Sequence, residues 1–417
     1  MKILLINHYA GSDEHGMEFR PYYLAKEWVK LGHTVTVVAA TYSHLRTNNK
    51  KINKDYEEEN INGINFLWFK TDNYVGNGLS RLKNTIQFSR KLYKYSSIIA
   101  DKYKPDVIIA SSPHVFIAFG AKKLSKMVNR PFIFEVRDLW PLSMIKLHDI
   151  SPKHPLMLVM QYAENYAYRN ADGIASVLPY ATEYYRAHGS QSPIEVFPNA
   201  INLESWDTAT EKVNKNISKM LIEMKENGFT IIGYTGTVGV ANAIDVLIES
   251  ARELKNQKIK IIIVGDGDQL VHLKDVVQRE DLNQIVKFIP KIAKQEIPNM
   301  LSYFDAVYLG WKKSDLYDYG VSPNKLMDYM MAKKLIIHSI STQSDLVQEY
   351  NCGLTVPAEN PKVLAEAISK IAALSKEERE TLGNNGYVKV LQNHTYQNMA
   401  KKYVEFIQKL KILKDSK

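Results

Sequence analysis

The chain has 417 residues, 45% of them apolar and 24% charged, which fits two or three globular domains and excludes a disordered or collagen-like polymer. Its one cysteine, Cys352, excludes a disulfide framework and a Cys-rich metal site and suits a reducing compartment. The net charge of +9 is uneven, since residues 1–200 carry 25 Lys and Arg against 18 Asp and Glu.

Short β-branched strands alternate with amphipathic helices along the whole chain. The first block reads as a buried strand at Lys2–Ile6, a helix over 18–31 stopping at Gly32, and a strand at Thr34–Ala40. The polar stretch 47–60 has no apolar period and reads as a loop or lid. Strands follow at 64–70, 106–110, 132–136, 174–177 and 194–197, with helices near 80–100, 154–169 and 181–188. After Pro198-Asn199 the rhythm restarts. Strands at 230–234, 260–264, 285–288, 306–310, 335–338 and 354–356 flank helices near 243–254, 269–279, 295–302 and 323–331. Such spacing predicts βαβ units in two parallel, doubly wound α/β sheets, with ligands at the strand C-termini. The expected division is 1–198, 199–394, and a last helix over 395–417 that could cross back to the first domain.

No apolar run reaches the roughly 18–20 residues that cross a bilayer, and the Lys2–Ile6 run stops too early for a signal peptide. A cytoplasmic chain is expected. Arg81, Lys83, Arg90, Lys91 and Lys94 share one helix with Leu79, Leu82, Ile86 and Leu92, which suggests peripheral contact with an anionic membrane face. With one cysteine and no basic, aromatic RNP-like strand, nucleic acid is not an expected partner.

Neither a Gly-x-Gly-x-x-Gly turn after a strand nor a P-loop is present. Gly236 and Gly239 form a glycine-rich turn that could offer backbone amides to a phosphate, or could simply be a tight βα turn. Asp266-Gly267-Asp268 has the form of a divalent-cation motif but lies at a strand-to-helix turn, so no metal is expected there. The most informative segment is 318–330. Ser322 reads as an N-cap and Pro323 as the first helical residue, which would bring the amides of Gly320, Val321 and Ser322 to a positive helix end beside Lys325. Asp328 follows three residues later on the same face, where it could also pair with Lys325.

The chain resembles the family 4 retaining glycosyltransferases of GT-B fold, especially bacterial enzymes that add N-acetylated amino sugars, fucosamine-type, during O-antigen or capsule assembly. The resemblance is carried by Gly16-Met17-Glu18-Phe19-Arg20, Leu31-Gly32-His33-Thr34-Val35, Val136-Arg137-Asp138-Leu139-Trp140-Pro141 and Phe197-Pro198-Asn199. The second block adds Gly233-Tyr234-Thr235-Gly236-Thr237-Val238-Gly239, Val264-Gly265-Asp266-Gly267 and residues 322–330. It implies two Rossmann-like domains facing a central cleft, the first taking the acceptor and the second a UDP-sugar. Asp328 stands where the family has the Glu that holds the ribose hydroxyls. Eight residues earlier this chain has Gly320 rather than a Glu, leaving Asp318 as a substitute, and the family's usual Arg and Lys after the first strand of the second domain are absent. The family's frequent His on the first domain is replaced by Arg137.

The resemblance therefore implies a metal-independent, UDP-sugar-dependent transferase acting on a polyprenyl-diphosphate-linked glycan. Lys325, Arg137 and Asp138 are the expected catalytic residues. Gly236, Thr237, Gly265, Lys291, Ile292, Gly320, Val321, Ser322 and Asp328 would hold the nucleotide sugar, and Glu18, Arg20 and Asp318 would face acceptor or donor sugar. A UDP-sugar 2-epimerase of the same fold, or an inactive sugar-nucleotide or membrane-docking module, remains open at this point.

Overall fold

Strands such as KILLI and IKIIIV have no polar alternation, so both faces of the sheets that contain them must be covered by helices. A computed structural model describes residues 1–16, 19–76, 78–112, 114–343 and 345–416. The chain divides into two units, residues 1–198 with 396–417, and residues 199–395.

In the first unit, eight strands form one sheet: β1 (Lys2–Ile6), β2 (Thr34–Ala40), β3 (Tyr56–Ile61), β4 (Ile64–Phe69), β5 (Val107–Ser111), β6 (Phe132–Val136), β7 (Gly173–Ser176) and β8 (Ile194–Val196). Their order is β3-β4-β2-β1-β5-β6-β7-β8, parallel except for β3 at the edge. The second unit holds six parallel strands: β9 (Thr230–Thr235), β10 (Ile259–Val264), β11 (Val286–Ile289), β12 (Ala306–Gly310), β13 (Leu335–Ser339) and β14 (Gly353–Val356). Their order is β11-β10-β9-β12-β13-β14. Each sheet reverses its winding once, between β1 and β5 and between β9 and β12, and ligands of doubly wound sheets bind beyond the strand ends at those places.

Three local expectations change. Part of the 47–60 stretch is the strand β3, not a loop: it pairs antiparallel with β4 around the left-handed Asn62-Gly63 turn. Its Glu57, Glu58 and Glu59 keep this outer edge charged, which discourages pairing with another chain. The helix expected near 80–100 is two helices, Leu79–Lys94 and Ser96–Tyr103. The Ser96 hydroxyl donates to the Tyr93 carbonyl at 2.8 Å, which competes with the helical ladder at the break. Finally, the helix Asn324–Met331 starts one residue late, with Pro323 rather than Ser322 at its N-cap.

The helix Tyr396–Asp415 belongs to the first unit, where the Trp28 indole donates to the Ala400 carbonyl at 3.2 Å and Tyr403 stacks on Phe197. Arg20 lies at the centre of this packing. Its guanidinium bonds Glu135 on β6 at 2.9 Å and the carbonyls of Phe197 and Pro198 at 2.9 and 3.0 Å. Glu135 also accepts from Ser111 and Tyr403. Both charged side chains are 3% exposed. Arg20 thus pairs with Glu135 and holds the end of the first unit together; this placement corrects its assignment to the acceptor side. Arg20→Ala would leave Glu135 buried and uncompensated, so unfolding in urea should show a loss of about 3–5 kcal/mol. A variant of unchanged stability would overturn this structural role.

Candidate functional site

Within the second unit, the site is built where β9 ends, next to the switch between β9 and β12. Gly236 follows β9 with φ of 141°, and a Cβ there would sit 3.0 Å from the Lys325 side chain. Gly265 follows β10, and a Cβ on it would collide with the Gly236 carbonyl. Two glycines therefore let two strand ends and the Lys325 side chain share one small volume.

Lys325 occupies the second position of the Asn324–Met331 helix. Its ammonium donates to the Tyr234 hydroxyl at 2.8 Å and to the Asn242 side-chain oxygen, and lies 4.6 Å from the Tyr234 ring centre. The Tyr234 hydroxyl in turn donates to the Thr237 carbonyl at 2.6 Å. No carboxylate lies within ion-pair distance of Lys325 among the described residues. Burial pulls its pKa down to about 8. Asp328, one turn on, does not pair with it. Its carboxyl makes no hydrogen bond among the described residues, and burial pushes its pKa up to about 6, opposed by the charge of Lys294.

The surrounding candidates have mixed fates. The Gly236 amide donates to the Val264 carbonyl at 2.9 Å, so it is not offered to a ligand as expected. The Thr237 amide bonds to no protein group among the described residues, and Thr237 is exposed. Gly265 donates its amide to Ile289 at 3.1 Å. Gly320 has φ of 88° and donates to Tyr317, while Val321 and Ser322 are half-buried. Ser322 accepts the Asn199 amide on its hydroxyl at 2.7 Å and the Asn199 side chain on its carbonyl. It ties the start of the unit to the helix instead of capping it. Asp318 is exposed on the turn before Gly320. Lys291 is exposed and Ile292 half-buried just past β11, where Ile292 packs on the core beneath the Asn324–Met331 helix. Asp266 and Asp268 are exposed, and Asp266 accepts the amide of its neighbour Gly267 at 2.8 Å.

In the first unit, Arg137 and Asp138 follow β6; Arg137 is half-buried with its amide on Ser112, and Asp138 is exposed. Glu18 lies outside the described residues. The structure thus gathers Gly236, Thr237, Gly265 and Lys325 into one group, with Asp328 on the same helix. Tyr234 and Asn242, which hold the Lys325 ammonium, were missed in the sequence. Tyr234 stands two residues before Gly236, but nothing in its spacing says that its hydroxyl turns toward Lys325.

Two carboxylates offset part of the charge on the basic helix. Lys83 pairs with Asp72, Lys91 and Lys94 with Asp55, and Arg81 donates to the Tyr9 hydroxyl. The expected cationic face is therefore weaker than the sequence suggests, because Asp55 and Asp72 come from separate segments. No helix among the described residues is long and apolar enough to cross a membrane.

Residues 15–205 match the family "Glycosyltransferase Family 4" and residues 220–389 match "Glycosyl transferases group 1". Over 313 residues the chain is 23% identical to the putative colanic acid biosynthesis glycosyl transferase WcaI of Escherichia coli, covering 73% of this chain and 75% of that one. Its fold is like that of sucrose-phosphate synthase from Thermosynechococcus elongatus, with a TM-score of 0.71 at 16% identity over 98% of both chains. It is also like Anabaena HepE in complex with UDP and glucose, with a TM-score of 0.65 at 15% identity over 98% of this chain and 99% of that one. The chain carries both glycosyltransferase domains and has the GT-B fold.

Asp328 gives a test of the site that needs no substrate. Its raised pKa means that the folded state keeps this proton above the unfolded value of 3.8, so stability is lost as pH rises from about 4 to about 6 and the full cost is carried above that. Asp328→Asn should raise the melting temperature at pH 7–8, with the gain vanishing below about pH 4. A loss of stability at neutral pH would show that the carboxylate is a structural tie.

Proposed function

We propose that this chain, a glycosyltransferase of GT-B type, transfers an N-acetylamino sugar from UDP to a lipid-linked glycan during bacterial surface polysaccharide assembly, with retention at the anomeric carbon. The observation that carries the proposal is Lys325: a desolvated ammonium fixed by Tyr234 and Asn242, beside a helix start, without a carboxylate. Such a cation is complementary to a diphosphate. The colanic acid name of one relative supports the polysaccharide setting.

Breaking the anomeric bond moves negative charge onto the UDP diphosphate. Lys325 and the Thr237 amide would stabilise that charge without reorganising, and no metal is needed in this scheme. Asp328 would accept the ribose hydroxyls, the backbone at Lys291 and Ile292 would meet the uracil, and Gly320, Val321 and Ser322 would line the donor sugar. In the first unit Arg137 and Asp138 would serve the acceptor or the developing anion, Arg137 as a permanent cation rather than a base. The leaving phosphate itself would take the acceptor proton on the same face. A 2-epimerase would consume nucleotide sugar alone, so UDP release that requires an acceptor separates the two activities.

Lys325→Ala should lower turnover about a hundredfold, because its contact strengthens as the diphosphate gains charge. Asp328→Ala should weaken donor binding at least as much as turnover, since ribose contacts exist before and during reaction. Near-normal kinetics in both variants would remove this helix from the active site. Turnover should survive EDTA; loss restored by Mn²⁺ would move the diphosphate to Asp266–Asp268.

The two pKa values also set a window. Below about pH 6 Asp328 gains a proton and stops accepting two hydroxyls, and above about pH 8 Lys325 loses its charge. UDP affinity by calorimetry should therefore be greatest between these limits. Lys325→Met should remove the alkaline limb alone; an unchanged alkaline limb would assign it to another group.

A further inference from the structure

The switch between β1 and β5 in the first unit opens into a cavity of about 550 Å³. Tyr9 just beyond β1, His114 just beyond β5 and Trp140 just beyond β6 stand in its wall. Most of the remaining wall is apolar: Leu79, Leu82, Phe116, Met144, Leu156 and Met160. Arg81 and His148 are its other charged or titratable members, and among the described residues no Asp or Glu lines it. A mostly apolar cavity with a few polar groups, at a switch point of a doubly wound sheet, has the form of a ligand site.

Two further observations narrow the ligand. Both ring nitrogens of His114 and the indole N–H of Trp140 are buried without a hydrogen-bond partner, which is costly unless a bound group completes them. Phe116 also lines a second apolar cavity of about 310 Å³, whose wall continues along the Leu79–Lys94 helix through Ile86, Arg90, Tyr93 and Lys94. The two cavities therefore follow one another along a helix about 24 Å long. At the mouth of the first, Leu79 is 83% exposed, and Leu158 and Val159 are more than half exposed on the helix that supplies Leu156 and Met160. A polar sugar would leave this apolar wall dry and unfilled. A hydrocarbon chain with an anionic end would fill it and meet the cation.

We infer that this cavity binds the carrier lipid of the acceptor: an isoprenoid chain lies along the Leu79–Lys94 helix, and its phosphate is received near Arg81, Trp140 and His114. This rests on the lipid-linked acceptor proposed above, and it assigns that lipid to side chains outside the nucleotide site.

The test titrates the full chain with farnesyl phosphate and follows tryptophan fluorescence, since Trp140 is in the wall. Saturable binding is expected, about tenfold tighter than for geranyl phosphate, because the longer chain buries more apolar surface. Farnesol and inorganic phosphate should each bind at least tenfold more weakly, and vesicles of anionic phospholipid should not compete. Leu79→Glu, at an exposed position, and Leu156→Glu should each weaken farnesyl phosphate binding at least tenfold while UDP binding stays unchanged. Retained UDP binding excludes gross misfolding, and Trp140→Phe, which removes only the indole N–H, should reduce the preference for the phosphate over farnesol. Equal binding of farnesol, full competition by phospholipid, or undiminished binding in both glutamate variants would overturn the inference. The function itself is scored separately by acceptor-dependent UDP release. Release with a water-soluble glycan but no farnesyl phosphate binding would overturn the lipid site and keep the transferase. Binding without release on any acceptor would do the reverse.

Discussion

The second unit depends on a charge that the protein leaves uncompensated. Lys325 could reach a carboxylate three residues away on its own helix, yet its ammonium turns to a phenol and an amide oxygen. An i,i+3 ion pair would be worth only a few tenths of a kcal/mol at a surface, but it would neutralise both groups. Instead both remain strained in ionisation, one pKa pulled down and the other pushed up. The close approach of Gly236, Gly265 and Lys325 follows from the same constraint. A Cβ at Gly265 would collide with the Gly236 carbonyl, and one at Gly236 would crowd the Lys325 side chain.

The first unit solves the opposite problem. Arg20 and Glu135 are more deeply buried than Lys325, but they meet each other, two carbonyls and two hydroxyls. Such a closed network holds structure and has nothing left with which to attract a ligand. The contrast separates two kinds of charged residue that look alike in sequence. Arg20 and Lys325 both occupy the second position of a helix. Only the identity of their partners distinguishes a structural tie from an anion site, and neither partner is near in sequence.

This is also where sequence reading ran out. Alternating strands and helices made the two parallel sheets legible, because burial of both faces demands apolar runs that any window detects. The β3 strand was hidden by its three glutamates, although Asn62-Gly63 marked the hairpin. Lys325, Asp328 and Gly236 could be picked out from glycines, a proline and a helix start. Tyr234 and Asn242 could not, since their role is to hold a side chain 91 and 83 residues away. The Gly236 amide was misread for a related reason: turns that bind phosphate and turns that bind a neighbouring strand have the same composition, and Val264 accepts this one. The late helix start follows from Asn199, whose amide takes the Ser322 hydroxyl that would otherwise cap the helix.

The charge asymmetry of the chain has a related lesson. Lysines on the Leu79–Lys94 helix suggested attraction to anionic headgroups, but Asp55 and Asp72 answer three of them at close range. Exposed pairs of this kind contribute little stability, yet they weaken the local attraction of this helix for anionic headgroups. The same helix also offers apolar side chains: Leu79 at the mouth of the first cavity, Leu82 in its wall and Ile86 in the second. Any hold on a lipid then comes chiefly from area removed from water, and the cations select an anionic end. Attraction of that kind resists salt, whereas a basic patch alone releases its partner as ionic strength rises.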